Sequence, residues 1–142
     1  YDGLFEIVIG DQGDPKFWNT FFTNGNSYDI IIDDGGHLMY QQITTLEKCF
    51  PHLNNNGLLI IEDTHTSYWQ SHGGSYRGEN TFMEYAKKLV DNLNIQHHNI
   101  SNNDNCFEDL YSVFFYNSLA VFEKRKVVTD FVLDSIENKN NI

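Results

Sequence analysis

The sequence predicts an α/β domain: a Rossmann-like parallel sheet closed by a C-terminal antiparallel hairpin. Three observations lead there. Short runs of β-formers alternate with stretches of helical periodicity along the first part of the chain, the pattern of parallel strands joined by crossover helices. Two of those runs, Ile30-Ile31-Ile32 and Leu58-Leu59-Ile60-Ile61, are unbroken and apolar, as strands buried on both faces are, and each ends in a pair of acids. Near the other end, Leu110–Tyr116 and Leu119–Lys124 are strand candidates separated only by Asn117-Ser118, a connection short enough to require a hairpin.

Taken in order, Leu4 to Ile9 is rich in β-formers and predicts the first strand. Asp14 before Pro15 predicts a helix start, with Phe17, Phe21 and Phe22 on one side and Asn24-Gly25-Asn26 as the stop. Tyr28 to Asp33 is the second strand, ending in a tight turn through Gly35-Gly36. His37 to Phe50 predicts a helix with Met39, Ile43, Leu46 and Phe50 on one face, ended by Pro51. Asn54 to Gly57 predicts a turn and Leu58 to Glu62 a third strand. Thr64 to Gly78 shows no periodicity and predicts a long loop at a strand's carboxyl end, the kind that carries function. Tyr68, Trp69 and Tyr76 in it are candidates for an apolar wall against a sugar or ring, or for ordinary packing. Asn80 or Thr81 caps the next helix, with Glu84 completing a capping box and Phe82, Tyr85, Ala86, Leu89, Val90 and Leu93 facing the core. Asn99 to Asn105 predicts a loop. After the hairpin, Val127 to Ile136 predicts a terminal helix and Asn138 to Ile142 a frayed end. The expected division is 1–126 as the domain and 127–142 as helix and tail.

The chain has 142 residues and a formal net charge of −11, from 20 acidic and 9 basic side chains. That balance repels a phosphate backbone and argues against nucleic acid as a partner. The basic run Lys124-Arg125-Lys126 reads as a solvated strand end. Two cysteines, Cys49 and Cys106, show neither CxxC spacing nor a disulfide framework, and Cys49 sits in an apolar helical run, the setting of a buried free thiol. With no apolar span long enough for a bilayer and no signal peptide, the expectation is a cytoplasmic protein that does not engage membranes.

The chemistry-bearing residues gather at strand ends, where open α/β sheets bind ligands. Asp34, Glu62 and Asp63 offer hard oxygen donors suited to Mg²⁺, and a cation there relieves the repulsion between crowded carboxylates. A nearby hydroxyl becomes more acidic beside such a cation. His37, three residues past Asp34, is placed to take a proton near neutral pH. Acids that cap helices or solvate a sheet rim, and a histidine that merely opens a helix, leave the alternative open. His65 suits supporting contacts or plain solvent exposure. Asp11 and Gln12, after the first strand, could meet a ribose or an adenine. No His/Cys spacing fits zinc.

Gly10-Asp11-Gln12, Ile32-Asp33-Asp34-Gly35-Gly36-His37, Ile61-Glu62-Asp63-Thr64-His65-Thr66-Ser67-Tyr68-Trp69 and Phe115-Tyr116-Asn117-Ser118, in that order, resemble one family. It is the class I S-adenosylmethionine-dependent methyltransferases of the macrocin and mycinamicin sugar O-methyltransferase type, active in natural product biosynthesis; cephalosporin hydroxylase-like proteins are similar too. The resemblance implies Mg²⁺ held by Asp34, Glu62 and Asp63, His37 as general base on a sugar hydroxyl, Asp11 and Gln12 near the cofactor's adenine end, and Asp33 at its methionine end. It implies S-adenosylmethionine and Mg²⁺ as cofactors and a sugar or glycoside as substrate. It also implies that the fold's first two strands, with the glycine-rich cofactor turn, would precede Tyr1 and lie in the sheet between the first and second strands here. The chain therefore corresponds to the C-terminal part of the domain. Weak or absent cofactor binding by this chain is expected, and exposed sheet edges are expected to be repaired by pairing of the first two strands or by formation of a homo-oligomer. The competing expectations are a metal-dependent glycosyltransferase and a non-catalytic methyltransferase-like domain.

Overall fold

Asp14 opens the first helix, α1 (Pro15–Phe21), by accepting the Lys16 amide at 2.9 Å, with proline in the first turn where its missing N–H is harmless. The computed structural model describes residues 3–95, 105–107 and 109–126. Strand β1 (Tyr28–Asp33) leads through a turn to α2 (Met39–Cys49), which starts two residues later than the periodicity predicts. There the Leu38 N–H donates to Gln41 Oε1 at 3.2 Å, so a glutamine from the helix's own first turn does the capping. Pro51 sits in a short 3₁₀ turn, Phe50–His52, and strand β2 (Leu53–Glu62) follows at once. The predicted capping box of α3 (Phe82–Asn92) is present in part: Thr81 Oγ1 accepts the Glu84 amide at 3.3 Å. β3 (Leu110–Tyr116) and β4 (Leu119–Lys124) form the expected hairpin, with Ser118 in the left-handed region at φ +63°.

The sheet order is β1-β2-β4-β3, with β1 and β2 parallel and β4 antiparallel to both of its neighbours. This is the predicted α/β architecture with its closing hairpin. The expected turn at Asn54–Gly57 is instead an irregularity inside β2. The pairing jumps from Tyr28↔Leu53 to Ile30↔Leu58, Asn56 takes φ +68°, and a Cβ on Gly57 would stand 2.9 Å from the Asn54 carbonyl oxygen. The Asn-rich stretch supplies a bulge's backbone freedom without breaking the strand.

Leu4–Ile9 does not form the predicted strand. β-propensity becomes a strand only where a neighbouring ladder takes the backbone groups, and among the described residues β1 pairs with β2 alone. The stretch leaves Leu4, Ile7 and Ile9 exposed at 78, 76 and 93%. The expected pairing of the first two predicted strands is therefore not formed.

The run Ile30-Ile31-Ile32 is also not buried on both faces. Alternation places Ile31, Leu59, Ile61, Ala120 and Phe122 on one face, where α2 and α3 add Met39, Leu46, Cys49, Phe82, Ala86 and Leu89 to a single core. The opposite face carries Ile30, Ile32, Leu58, Ile60, Val121 and Phe114, none of which enters that core. The described helices supply one layer only, so the second half of each apolar run meets solvent.

The stretch from Thr64 to Gly78 holds two 3₁₀ turns, Thr64–Tyr68 and Gln70–His72, and buries Thr64, Thr66 and Ser67. Tyr68, Trp69 and Tyr76 are exposed. The expected terminal helix and frayed end, and most of the expected loop from Asn99 to Asn105, lie outside the described residues.

Candidate active site

Parallel pairing sets the carboxyl ends of β1 and β2 side by side, with Asp33 opposite Ile61. The turn after β1 carries Asp34 and His37, and the residue after β2 is Asp63. One ligand atom from each of Asp34, His37 and Asp63 lies within 4.8 Å of the others. His37 Nε2 stands 3.4 Å from Asp63 Oδ2. Asp63 adopts the left-handed conformation, φ 53° and ψ 33°, a region Asp enters more readily than most residues with a Cβ and which Asn56, Arg77 and Ser118 also adopt. Its carbonyl accepts two bonds from Thr66, from the amide at 3.1 Å and from Oγ1 at 2.9 Å.

Glu62 is not part of this cluster. As the last residue of β2 it shares the open face with Leu58 and Ile60, and the turn at Asp63 re-aims the chain immediately after it. Its backbone carbonyl accepts from Gln42 Nε2 at 3.0 Å, a buried amide that ties α2 to the strand end. The three residues brought together thus include two of the expected metal ligands, Asp34 and Asp63, and the expected base, His37.

Gln12 and Asp33 meet each other. Gln12 Nε2 donates to both Asp33 carboxylate oxygens, at 2.8 and 2.7 Å, and Gln12 Oε1 accepts the Gly36 amide at 2.6 Å. The Trp18 indole N–H in turn holds the Gln12 carbonyl at 2.8 Å. Burial pushes the Asp33 carboxyl above its ordinary value; the Gly35 amide, the Gln12 amide and nearby His37 pull the other way. Neither turn glycine has positive φ, so close side-chain neighbours rather than backbone twist crowd these positions. A Cβ on Gly35 would stand 2.4 Å from Gln12 Oε1, and one on Gly36 2.3 Å from Gln41 Oε1. A cavity of about 740 Å³ opens beside the clamp, lined by Gln12, Trp18, Asp33, Asp34 and Gly35 among others. Asp11 is exposed, with Oδ1 on the Gly13 amide at 2.8 Å.

Sequence reasoning named Ser118 in the hairpin turn and the family resemblance but gave it no role at the site, and it missed Gln41 and Gln42. Ser118 Oγ hydrogen-bonds His65 Nδ1, and that same nitrogen is 3.8 Å from Asp63 Oδ1. The signal for Gln41 was available, because a glutamine three residues after a helix cap is a capping pattern.

The parallel pair, the antiparallel hairpin and the acids at the shared strand ends define a Rossmann-like α/β domain with a polar site at its carboxyl rim. No protein-family model matches the chain. It is 34% identical over 125 residues to the demethylmacrocin O-methyltransferase of Streptomyces fradiae, covering 82% of this chain and 31% of that protein. It is 37% identical over 89 residues to the L-olivosyl-oleandolide 3-O-methyltransferase of Streptomyces antibioticus, covering 60% and 23%. Among solved structures it resembles MycE methyltransferase from the mycinamycin biosynthetic pathway, in complex with Mg, SAH and mycinamycin VI. That likeness has a TM-score of 0.77 and 28% identity, over 92% of this chain and 36% of that one. The chain is a part-length relative of sugar O-methyltransferases, spanning about a third or less of the curated relatives' length.

Proposed function

We propose that the full-length protein is a Mg²⁺-dependent, S-adenosylmethionine-dependent O-methyltransferase acting on a hydroxyl of a sugar or glycosylated small molecule. The observation that carries this reading is the convergence of Asp34, His37 and Asp63 within 4.8 Å, at the strand ends of a fold shared with MycE. Two carboxylates there are hard donors of the type Mg²⁺ takes, and Asp34 and Asp63 are the residues assigned to hold it, with Glu62 at the adjoining position. Mg²⁺ at this site supplies positive charge that makes an acceptor hydroxyl easier to deprotonate.

His37 is assigned as the base. Its Nε2 takes the hydroxyl proton while the oxygen attacks the sulfonium methyl carbon; the carbon–sulfur bond breaks and S-adenosylhomocysteine leaves. Asp63 Oδ2, 3.4 Å from that nitrogen, balances the charge the ring acquires. The rim at Gln12 and Asp33 is assigned to the cofactor; the cavity beside it is also lined by Glu6, Val8, Ile31 and Ile32, the place the resemblance gives to the fold's two preceding strands, and its volume is no part of the assignment. Asp11 and Gln12 are assigned to the cofactor's adenine end, and Asp33, held by the Gln12 amide, to its methionine end. Much of the rate comes from holding the two reactants in line.

The test is S-adenosylhomocysteine release by the full-length protein with candidate glycosides. The expected result is turnover that EDTA abolishes and Mg²⁺ restores, and that His37→Ala lowers by ~10²–10⁴-fold with cofactor affinity nearly unchanged. Turnover indifferent to EDTA would remove the metal, and an unimpaired His37→Ala would remove the base.

A further inference from the structure

The two carboxylate oxygens of Asp63 face different histidines. Oδ2 is turned to His37, and Oδ1 lies 3.8 Å from His65 Nδ1. His65 is held on two further sides. Ser118 Oγ hydrogen-bonds its Nδ1, and the Trp69 ring meets it edge-on with centroids 4.5 Å apart. The tip of the β3–β4 hairpin grips the same turn again through the backbone, where the Thr64 amide donates to the Ser118 carbonyl at 3.2 Å. Left-handed backbone at a non-glycine residue persists only when its surroundings over-determine it. Here Asp63 and Ser118 both adopt it, at φ 53° and 63°, on either side of that bond.

We propose that His65 and Ser118 are positioning residues for Asp63. The hairpin tip fixes the imidazole, and the imidazole occupies the space and charge around Oδ1. The carboxylate is then left one orientation, with Oδ2 toward His37. A carboxylate that arrives pre-oriented binds a cation without first losing rotamer freedom, and groups that orient metal ligands in this way typically contribute 10–100-fold to affinity. The inference rests on the metal reading of the Asp34–His37–Asp63 cluster and adds to it two residues that donate no ligand of their own.

The probe is Mn²⁺ alone, an ion of the same oxygen preference, titrated into the 142-residue chain and followed by the electron paramagnetic resonance of the free ion. Ser118→Ala and His65→Ala are each expected to weaken Mn²⁺ binding roughly tenfold or more. His65→Asn, which keeps a donor near the Nδ1 position, is expected to recover most of that loss. Thermal midpoints measured without metal separate positioning from folding, because Ser118→Ala removes a single part-buried side-chain contact at a hairpin tip and is expected to melt close to the parent. Parent-like affinity in both alanine variants overturns the inference while leaving the metal centre standing. Weakening that His65→Asn does not relieve, or that follows the unfolded fraction, also overturns it. No Mn²⁺ binding by the parent chain overturns the metal reading itself.

Discussion

Leu59 and Ile61 are fully shut from solvent, whereas Ile30 and Ile32, equally apolar and one strand away, are each 58% exposed. The difference lies between the two faces of a single sheet. On one, α2 and α3 supply the second layer that apolar strand residues need; on the other, the described residues supply none. The polar side chains divide in the same way. Asp33, on the covered face, is buried and braced by Gln12, while Glu62, on the open face, stands apart from the cluster beside it. Burial here follows the partner layer, not the residue.

The contrast can be broken or sharpened by three substitutions. Phe122→Ala, in the middle of the covered face, is expected to cost about 3–5 kcal/mol, read as a lowered urea midpoint. Gln12→Ala removes the amide that donates to both oxygens of the buried Asp33 carboxylate and is expected to cost about 1–3 kcal/mol, with the loss shrinking at acid pH as Asp33 protonates. The sign follows from Gln12 donating to the ionised carboxylate: burial already raises Asp33's folded value, loss of the donor raises it further, and the added loss of stability therefore grows as pH rises and vanishes where Asp33 is protonated in both parent and variant. Ile32→Thr keeps a β-branched residue on the open face and is expected to change stability by no more than about 0.5 kcal/mol. A loss as large as that of Phe122→Ala, especially one that depends on protein concentration, would show that the open face is covered in solution and would end the comparison.

Local signals made most of the elements legible. Asp14 with Pro15, Thr81 with Glu84 and the two-residue Asn117-Ser118 connection each act within a few residues, and each is found where the sequence puts it. What depends on distant partners was not legible. Leu4–Ile9 has the composition of a strand but, among the described residues, no ladder to join. The triple isoleucine has the composition of a doubly covered strand but one covered side. The site divides similarly. Asp34, His37 and Asp63 were readable as residues at the ends of two parallel strands. The left-handed turn at Asp63, which separates it from Glu62, and the reach of Gln12 across 21 residues to Asp33 are tertiary facts with no local signature.

Two-residue hairpin tips are ordinarily the safest places to splice an epitope, a fluorophore tag or a swapped loop into a domain. The Asn117-Ser118 tip is an exception, since its carbonyl and hydroxyl are both engaged by the chain just beyond β2. Lengthening it by even one residue would rotate Ser118 away from His65. For anyone re-engineering the molecule, the exposed bend at Asn24-Gly25-Asn26 is the better insertion point, provided Gly25 itself is kept, since its φ of +71° suits glycine.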